Sequence, residues 1–208
     1  MAVARTVETG RARRVTGQDR REKCDFSISP LAPLPLICFM LLNNGPLFPC
    51  ALLAALFHEC GHIAAIYLSG ARVVRLGIYP FGAEIVSGGR MLSYGQSLFV
   101  ALSGVMVNFF CAAVLFLPHA PYTLQVFGIC SLGLGLFNLL PLKRLDGGEV
   151  IENLCALFLP LEQVQRCCKF FAVLGAAGLL LFCLLGIFFA HLNPLFLLLS
   201  LYLLWGVF

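Results

Sequence analysis

Two histidines and a glutamate in the segment HECGH, residues 58–62, have the types and spacing needed for hydrolytic chemistry. His58 and His62 are four residues apart, so on a helix their rings share one face and can bind one zinc ion together. Glu59 follows the first histidine, where its carboxylate can take a proton from zinc-bound water. The spacing therefore predicts His58 and His62 as metal ligands and Glu59 as a catalytic base.

The composition indicates that this segment lies in a membrane. The chain has 208 residues, of which 60% are hydrophobic and 12% are charged, with no stretch left for a second soluble domain. A soluble domain has roughly 25% charged residues. Polar side chains within a membrane helix are costly and are usually functional. The alternative is that the His-Glu-His group only packs helices together.

The apolar runs predict an all-α polytopic membrane protein with about six transmembrane helices. The runs cover residues 31–42, 46–69, 97–118, 122–142, 170–190 and 194–208. Seven of the 14 Lys and Arg residues lie in the first thirty positions, and the other seven lie in segments 70–96 and 143–169. The positive-inside rule then places both termini, both basic segments and the site on the cytoplasmic side.

The segment 72–90 differs from its apolar surroundings. β-Branched residues and tyrosine flank a Pro-Phe-Gly sequence, which predicts a small β-hairpin or sheet at the cytoplasmic membrane surface. Such a sheet would hold an extended peptide by β-augmentation. We therefore divide the chain into a basic N-terminal arm, 1–30, interpreted as a solvated and disordered segment, and a membrane domain, 31–208, with a catalytic core at about 46–155.

A catalytic zinc usually has three protein ligands, so one more ligand is expected. His119 and His191 fall in loops on the opposite side of the membrane, which makes them poor candidates. Asp146 follows the fourth apolar run, and two glycines after it permit a tight turn back into the helices. Two alternatives to Asp146 as the third ligand remain open at this point. In the first, Asp146 only caps the next helix. In the second, Glu149 or Glu152 is the third ligand.

Two motifs resemble the site-2 protease family of intramembrane metalloproteases. They are FHECGH, residues 57–62, and NLLPLKRLDG, residues 138–147, within a similar region of about 50–155. The resemblance implies His58, His62 and Asp146 as zinc ligands and Glu59 as the catalytic base. It also implies one zinc ion per active site and the cleavage of transmembrane or membrane-associated proteins.

Three further residues are predicted to bind substrate. The segment SGVMVN, residues 103–108, resembles a third family motif but lacks its proline and is one residue longer, so Asn108 either lines the substrate path or bonds between helices. Asn138 can pair with an extended peptide backbone. Pro141 removes a helical hydrogen bond and frees a carbonyl near the site.

These observations predict an intramembrane zinc metalloprotease in a bacterial cell membrane. Its expected partners are a membrane-bound protein substrate, the bilayer and a regulatory membrane protein, with no nucleic acid. The compact shape most resembles the sporulation branch of the family, which processes the precursor of a sigma factor. A membrane protease with a glutamate as third ligand, a zinc transporter and a non-catalytic scaffold are the alternatives.

Overall fold

A computed structural model describes residues 25–30, 45–79, 82–143 and 145–190 of the chain. Most of the basic arm and the apolar runs at 31–42 and 194–208 lie outside this part, so the predictions made for them are untested. The described chain is mostly helical, with one small sheet. The helices are α1 (Leu47–Leu68), α2 (Tyr94–Ala112), α3 (Tyr122–Asn138), α4 (Asp146–Ala156) and α5 (Leu161–Ala190), with a short 3-10 helix at Ala113–Phe116.

Three of the described helical segments are long and apolar enough to cross a bilayer: Leu47–Leu68, Tyr94–Phe116 and Leu161–Ile187. Helix α1, with 22 residues, is about 33 Å long, which matches a hydrocarbon core of about 30 Å. Helix α3 is apolar but shorter. Large apolar side chains such as Leu68, Phe110 and Phe116 are exposed, as expected on lipid-facing surfaces. The prediction of a helical polytopic membrane protein is therefore confirmed, while the count of six spans stays a prediction.

Helix α5 begins earlier than the sequence suggested. We expected a surface segment up to residue 169, but the helix starts at Leu161, directly after Pro160. The carbonyl of Pro160 accepts the first helical hydrogen bonds, from Gln163 and Val164. The charged residues after Pro160 thus occupy the first turns of a long helix, from which long side chains can still reach the membrane surface.

The sheet contains the predicted hairpin and one strand that was not expected. Strands β2 (Arg72–Tyr79) and β3 (Gly82–Gly88) pair antiparallel, while β1 (Asp25–Ile28) pairs parallel to the other side of β2. The arm was interpreted as disordered, but its Phe-Ser-Ile sequence favours extended structure and forms β1. Ile85 of β3 is buried in a cluster with residues of α1, α2 and the link after α1, which fixes the sheet beside the helix ends.

Glycines bring helices α1 and α2 unusually close together. A Cβ atom on Gly61 would lie 2.9 Å from the Ser103 carbonyl oxygen and 3.1 Å from the Gly104 Cα. Helix α3 contacts both α1 and α2, and α4 packs against α2 and α5. The buried polar residues His58, Asn108, Asn138 and Asp146 lie on these helices, which places the candidate site among them.

Candidate active site

The two histidines of α1 form the centre of the site. His58 and His62 are each only 1% exposed, and their ring centroids lie 4.7 Å apart. Both rings point towards Gly104 of α2: a Cβ atom there would lie 2.4 Å from His62 Nε2 and 2.8 Å from His58 Cε1. The absence of a side chain at Gly104 therefore makes the room that the two rings occupy.

Asp146, the first residue of α4, completes a three-residue cluster. Its Oδ2 atom lies 2.9 Å from His58 Nε2 and 3.2 Å from His62 Nε2, and the two Nε2 atoms are 3.2 Å apart. Ligands on a tetrahedral zinc ion, bound at about 2.0–2.1 Å, are separated by about 3.3 Å. The three atoms are therefore spaced as ligands of one ion, and the site fits the metal that the sequence predicts.

The turn before α4 holds Asp146 in place through close backbone contacts. A Cβ atom on Gly147 would lie 2.3 and 2.4 Å from the carbonyl oxygens of Leu139 and Leu140, so no other residue fits there without movement. Leu145 is buried and occupies the N-cap position of α4. Asp146 is thus not the helix cap, and the alternative left open by the sequence is removed.

Of the described residues, only His58, His62 and Asp146 form a cluster of histidine, cysteine or acidic groups close enough to hold a metal ion. Glu149 and Glu152 lie further along α4 and are not part of it. Glu152 instead lines a cavity of about 360 Å³ between α4 and α5, which Pro141 and Lys169 also border. The Pro141 ring packs closely against Gly175 of α5. His119 lies in the loop before α3, as expected.

Glu59 lies next to His58 on α1 and is partly buried. Its Oε2 atom is enclosed and has no hydrogen-bond partner in the described part of the chain. A buried oxygen without a partner is costly unless something else uses it. This observation supports the predicted role of Glu59, since a base must keep an oxygen available for a proton.

Both histidine rings are held at the nitrogen that faces away from Asp146. His62 Nδ1 lies 2.8 Å from the Val100 carbonyl oxygen, which can only accept a hydrogen bond, so Nδ1 carries a proton, and in the neutral ring Nε2 presents a lone pair. Asn108 Nδ2 lies 3.1 Å from His58 Nδ1, while Asn138 Nδ2 lies 3.3 Å from His58 Nε2. The sequence pattern indicated the asparagines but neither Gly104 as packing space nor Val100, whose contribution is a backbone oxygen.

The charge of Asp146 depends on its histidine neighbours. Burial alone would raise the pKa of its carboxyl, but the hydrogen bonds and charges of His58 and His62, when these rings are protonated at Nε2, more than offset burial, and the pKa lies below its ordinary value. The carboxylate is therefore the stable form at neutral pH, as a metal ligand must be.

Fold and site together define a polytopic membrane protein with a buried His-His-Asp cluster close enough to hold a metal ion. Residues 118–182 match the family model of Peptidase family M50. Over 124 residues the chain is 30% identical to stage IV sporulation protein FB of Bacillus subtilis (strain 168), a match that covers 56% of this chain and 43% of that protein. The chain thus spans less than half of the length of this curated relative.

A solved structure has the same fold. The site-2 protease from Methanocaldococcus jannaschii matches with a TM-score of 0.57 and 23% identity, covering 85% of this chain and 84% of that one. The resemblance to the site-2 protease family that the two motifs predicted is confirmed by these matches together.

Proposed function

We propose that the protein is a zinc-dependent intramembrane protease that hydrolyses peptide bonds of transmembrane or membrane-associated proteins. One observation carries the proposal: the ligand atoms of His58, His62 and Asp146 converge beside Glu59 on a helix of membrane-spanning length. The family match and the fold agree with it.

The residues divide the reaction between them. His58, His62 and Asp146 hold the zinc ion, which when bound polarises the scissile carbonyl and makes water a better nucleophile. Glu59 takes the proton from the attacking water and passes it to the leaving amine. The Asn138 amide lies 3.3 Å from His58 Nε2, where its N–H can donate to a substrate carbonyl. Burial of the cluster limits the water that reaches the reacting groups.

The substrate must be presented as an extended chain, because a helix hides its peptide carbonyls. In the described sheet, β3 has a neighbour on one side only, so its other edge is available for β-augmentation. We assign to this edge the role of holding the substrate, with Asn138 and Pro141 acting nearer to the site. Proline substitutions test this role, because proline lacks the backbone N–H that would bond to the substrate. Two variants are compared, each with prolines at alternate positions of β3. The variant that loses the N–H donors facing away from β2 should cleave more slowly while it retains zinc.

The wider biological setting follows from the relative and from the charges. The relative's name refers to sporulation, which favours a bacterial cell membrane and a regulatory precursor, such as that of a sigma factor, as the substrate. The basic segments beside the site favour its opening towards the cytoplasm. A membrane protein that regulates access to the site is a further expected partner.

The test is co-expression of the full chain with candidate membrane-bound precursors, comparing the wild type with Glu59→Gln. We expect the variant to cleave about 10²–10⁴-fold more slowly, because it loses general-base catalysis, while its zinc content is unchanged by metal analysis. The matched control Glu149→Gln changes a glutamate outside the cluster and should leave cleavage intact. Undiminished cleavage by Glu59→Gln would refute the role of Glu59. A zinc transporter or scaffold would show no Glu59-dependent cleavage of any precursor.

A further inference from the structure

His58 has an asparagine amide against each of its ring nitrogens. We propose that Asn108 is a positioning residue: its side-chain carbonyl accepts a hydrogen bond from His58 Nδ1 and thereby fixes the tautomer in which Nε2 binds the metal. The proposal rests on the metal site of the proposed function but assigns Asn108 a role separate from substrate binding.

The partner that His58 Nδ1 requires depends on which ring nitrogen binds the metal. If Nε2 of a neutral imidazole binds a metal ion, the ring proton must be on Nδ1, so the atom facing Nδ1 must accept a hydrogen bond. Asn108 Nδ2 now faces Nδ1 at 3.1 Å, and Asn108 Oδ1 has no partner in the described chain. Rotating the amide by 180° exchanges two atoms of nearly equal size. The rotation gives Nδ1–H an acceptor and moves the amide nitrogen to the position where the oxygen has no partner in the described chain.

His62 has a hydrogen-bond acceptor of this kind at its own Nδ1. The Nδ1 atom of His62 lies 2.8 Å from the Val100 carbonyl oxygen, an acceptor whose identity cannot change. With the amide rotated, His58 is held in the same way, but by a side chain. The two rings then have equivalent support from two positions of α2, Val100 and Asn108, separated by about two helical turns.

Asn108 and Asn138 contact different nitrogens of the His58 ring. Asn108 is fully buried and contacts the ring nitrogen that faces away from Asp146, so it lies behind the ligand. Asn138 contacts the nitrogen that faces Asp146, on the side where the metal would be held. Truncation of Asn108 should therefore act on metal binding, whereas truncation of Asn138 should act on the substrate.

The test measures zinc affinity of the full-length protein in detergent by competition with a chelator, for wild type, Asn108→Leu, Asn108→Asp and Asn138→Leu. We expect Asn108→Leu to bind zinc about 10–100-fold more weakly, as is typical when a ligand loses its outer hydrogen bond. Asn108→Asp keeps an acceptor and should restore the affinity. The visible spectrum of the cobalt-substituted protein should change with Asn108→Leu and resemble wild type with Asn108→Asp.

Several results would overturn the proposal. Equal losses of zinc affinity in the Leu and Asp variants would show that Asn108 matters only for packing. Unchanged zinc affinity with a raised KM would show that it contacts substrate. If Asn108→Leu does not fold, ¹⁵N-histidine NMR of the zinc-loaded wild type provides a second test. An unprotonated Nδ1 on His58 in these spectra would exclude the hydrogen bond from His58 to Asn108. Wild type that binds zinc but cleaves no precursor would refute the proposed function alone.

Discussion

The two halves of the metal site are built in different ways. One half, His58 to His62, lies on a regular helix, and its ligand spacing follows from helical periodicity. The other half is Asp146 at the start of α4, just after the chain turns from α3, and backbone atoms of Leu139 and Leu140 packed against Gly147 position it. In the first half two histidine side chains reach Asp146 from the helix, and the Val100 carbonyl supports the His62 ring. In the second half the main chain itself forms the support.

This difference determines how each half responds to change. A helix can adjust its side-chain rotamers when a neighbour grows, so damage in the first half should remain local to the metal. A backbone contact has no such freedom, because carbonyl oxygens move only with the chain. We therefore expect substitutions in the turn to affect both folding and zinc, and substitutions opposite the helix to affect zinc alone.

The largest effect is expected for Asp146→Ala, with Glu149→Ala as its matched comparison on the same helix. Loss of a ligand should weaken zinc binding by more than about 100-fold, since even second-shell changes cost 10–100-fold. Glu149 is not in the cluster, so its variant should bind zinc like wild type. Chelator competition on both purified variants measures the difference. If the Glu149 variant loses zinc and the Asp146 variant does not, a glutamate is the third ligand.

The second-largest effect is expected for Gly147→Ala. The new methyl group would overlap the Leu139 and Leu140 carbonyl oxygens, so the turn must open at a cost of about 3 kcal/mol or more. Thermal unfolding in detergent should shift to lower temperature, and zinc affinity should fall with it. Gly178→Ala on α5 is the control, since its methyl group meets nothing within 4 Å. A Gly147 variant with normal stability would show that the turn is not held by its backbone.

The sequence predicted the helical half of the site well and the turn half only partly. Spacing alone places His58 and His62 on one face, and an apolar composition places that face in a membrane. Asp146 was a candidate because of the glycines after it, but the sequence left Glu149 and Glu152 as alternatives, and it is the folded turn that brings Asp146 beside the histidines. Which carboxylate returns to the histidines depends on backbone geometry that residue types do not encode locally.

The remaining parts were hidden for physical reasons. The support of His62 is a carbonyl of Val100, and every residue has a carbonyl, so no residue type could indicate it. Strand β1 pairs with residues about fifty positions later, a contact that local patterns in an arm rich in charge do not reveal. The start of α5 was misplaced because charged residues in its first turns were read as a surface segment.

The smallest effect is expected for Gly104→Ala, and it tests the helical half most directly. The added methyl group would lie 2.4 Å from His62 Nε2, so the rings must rotate away from each other and zinc affinity should fall by about 10–100-fold. Folding should be little affected, because alanine favours the helix over glycine by up to about 1 kcal/mol and so offsets part of the local strain. Gly133→Ala on α3, where a methyl group meets nothing within 4 Å, should gain this stability with no loss of zinc. Zinc titration and thermal unfolding of the Gly104 and Gly133 variants test this expectation. If Gly104→Ala lowers the unfolding temperature as much as Gly147→Ala does, the helical half is as rigid as the turn. The contrast between the two halves would then be wrong.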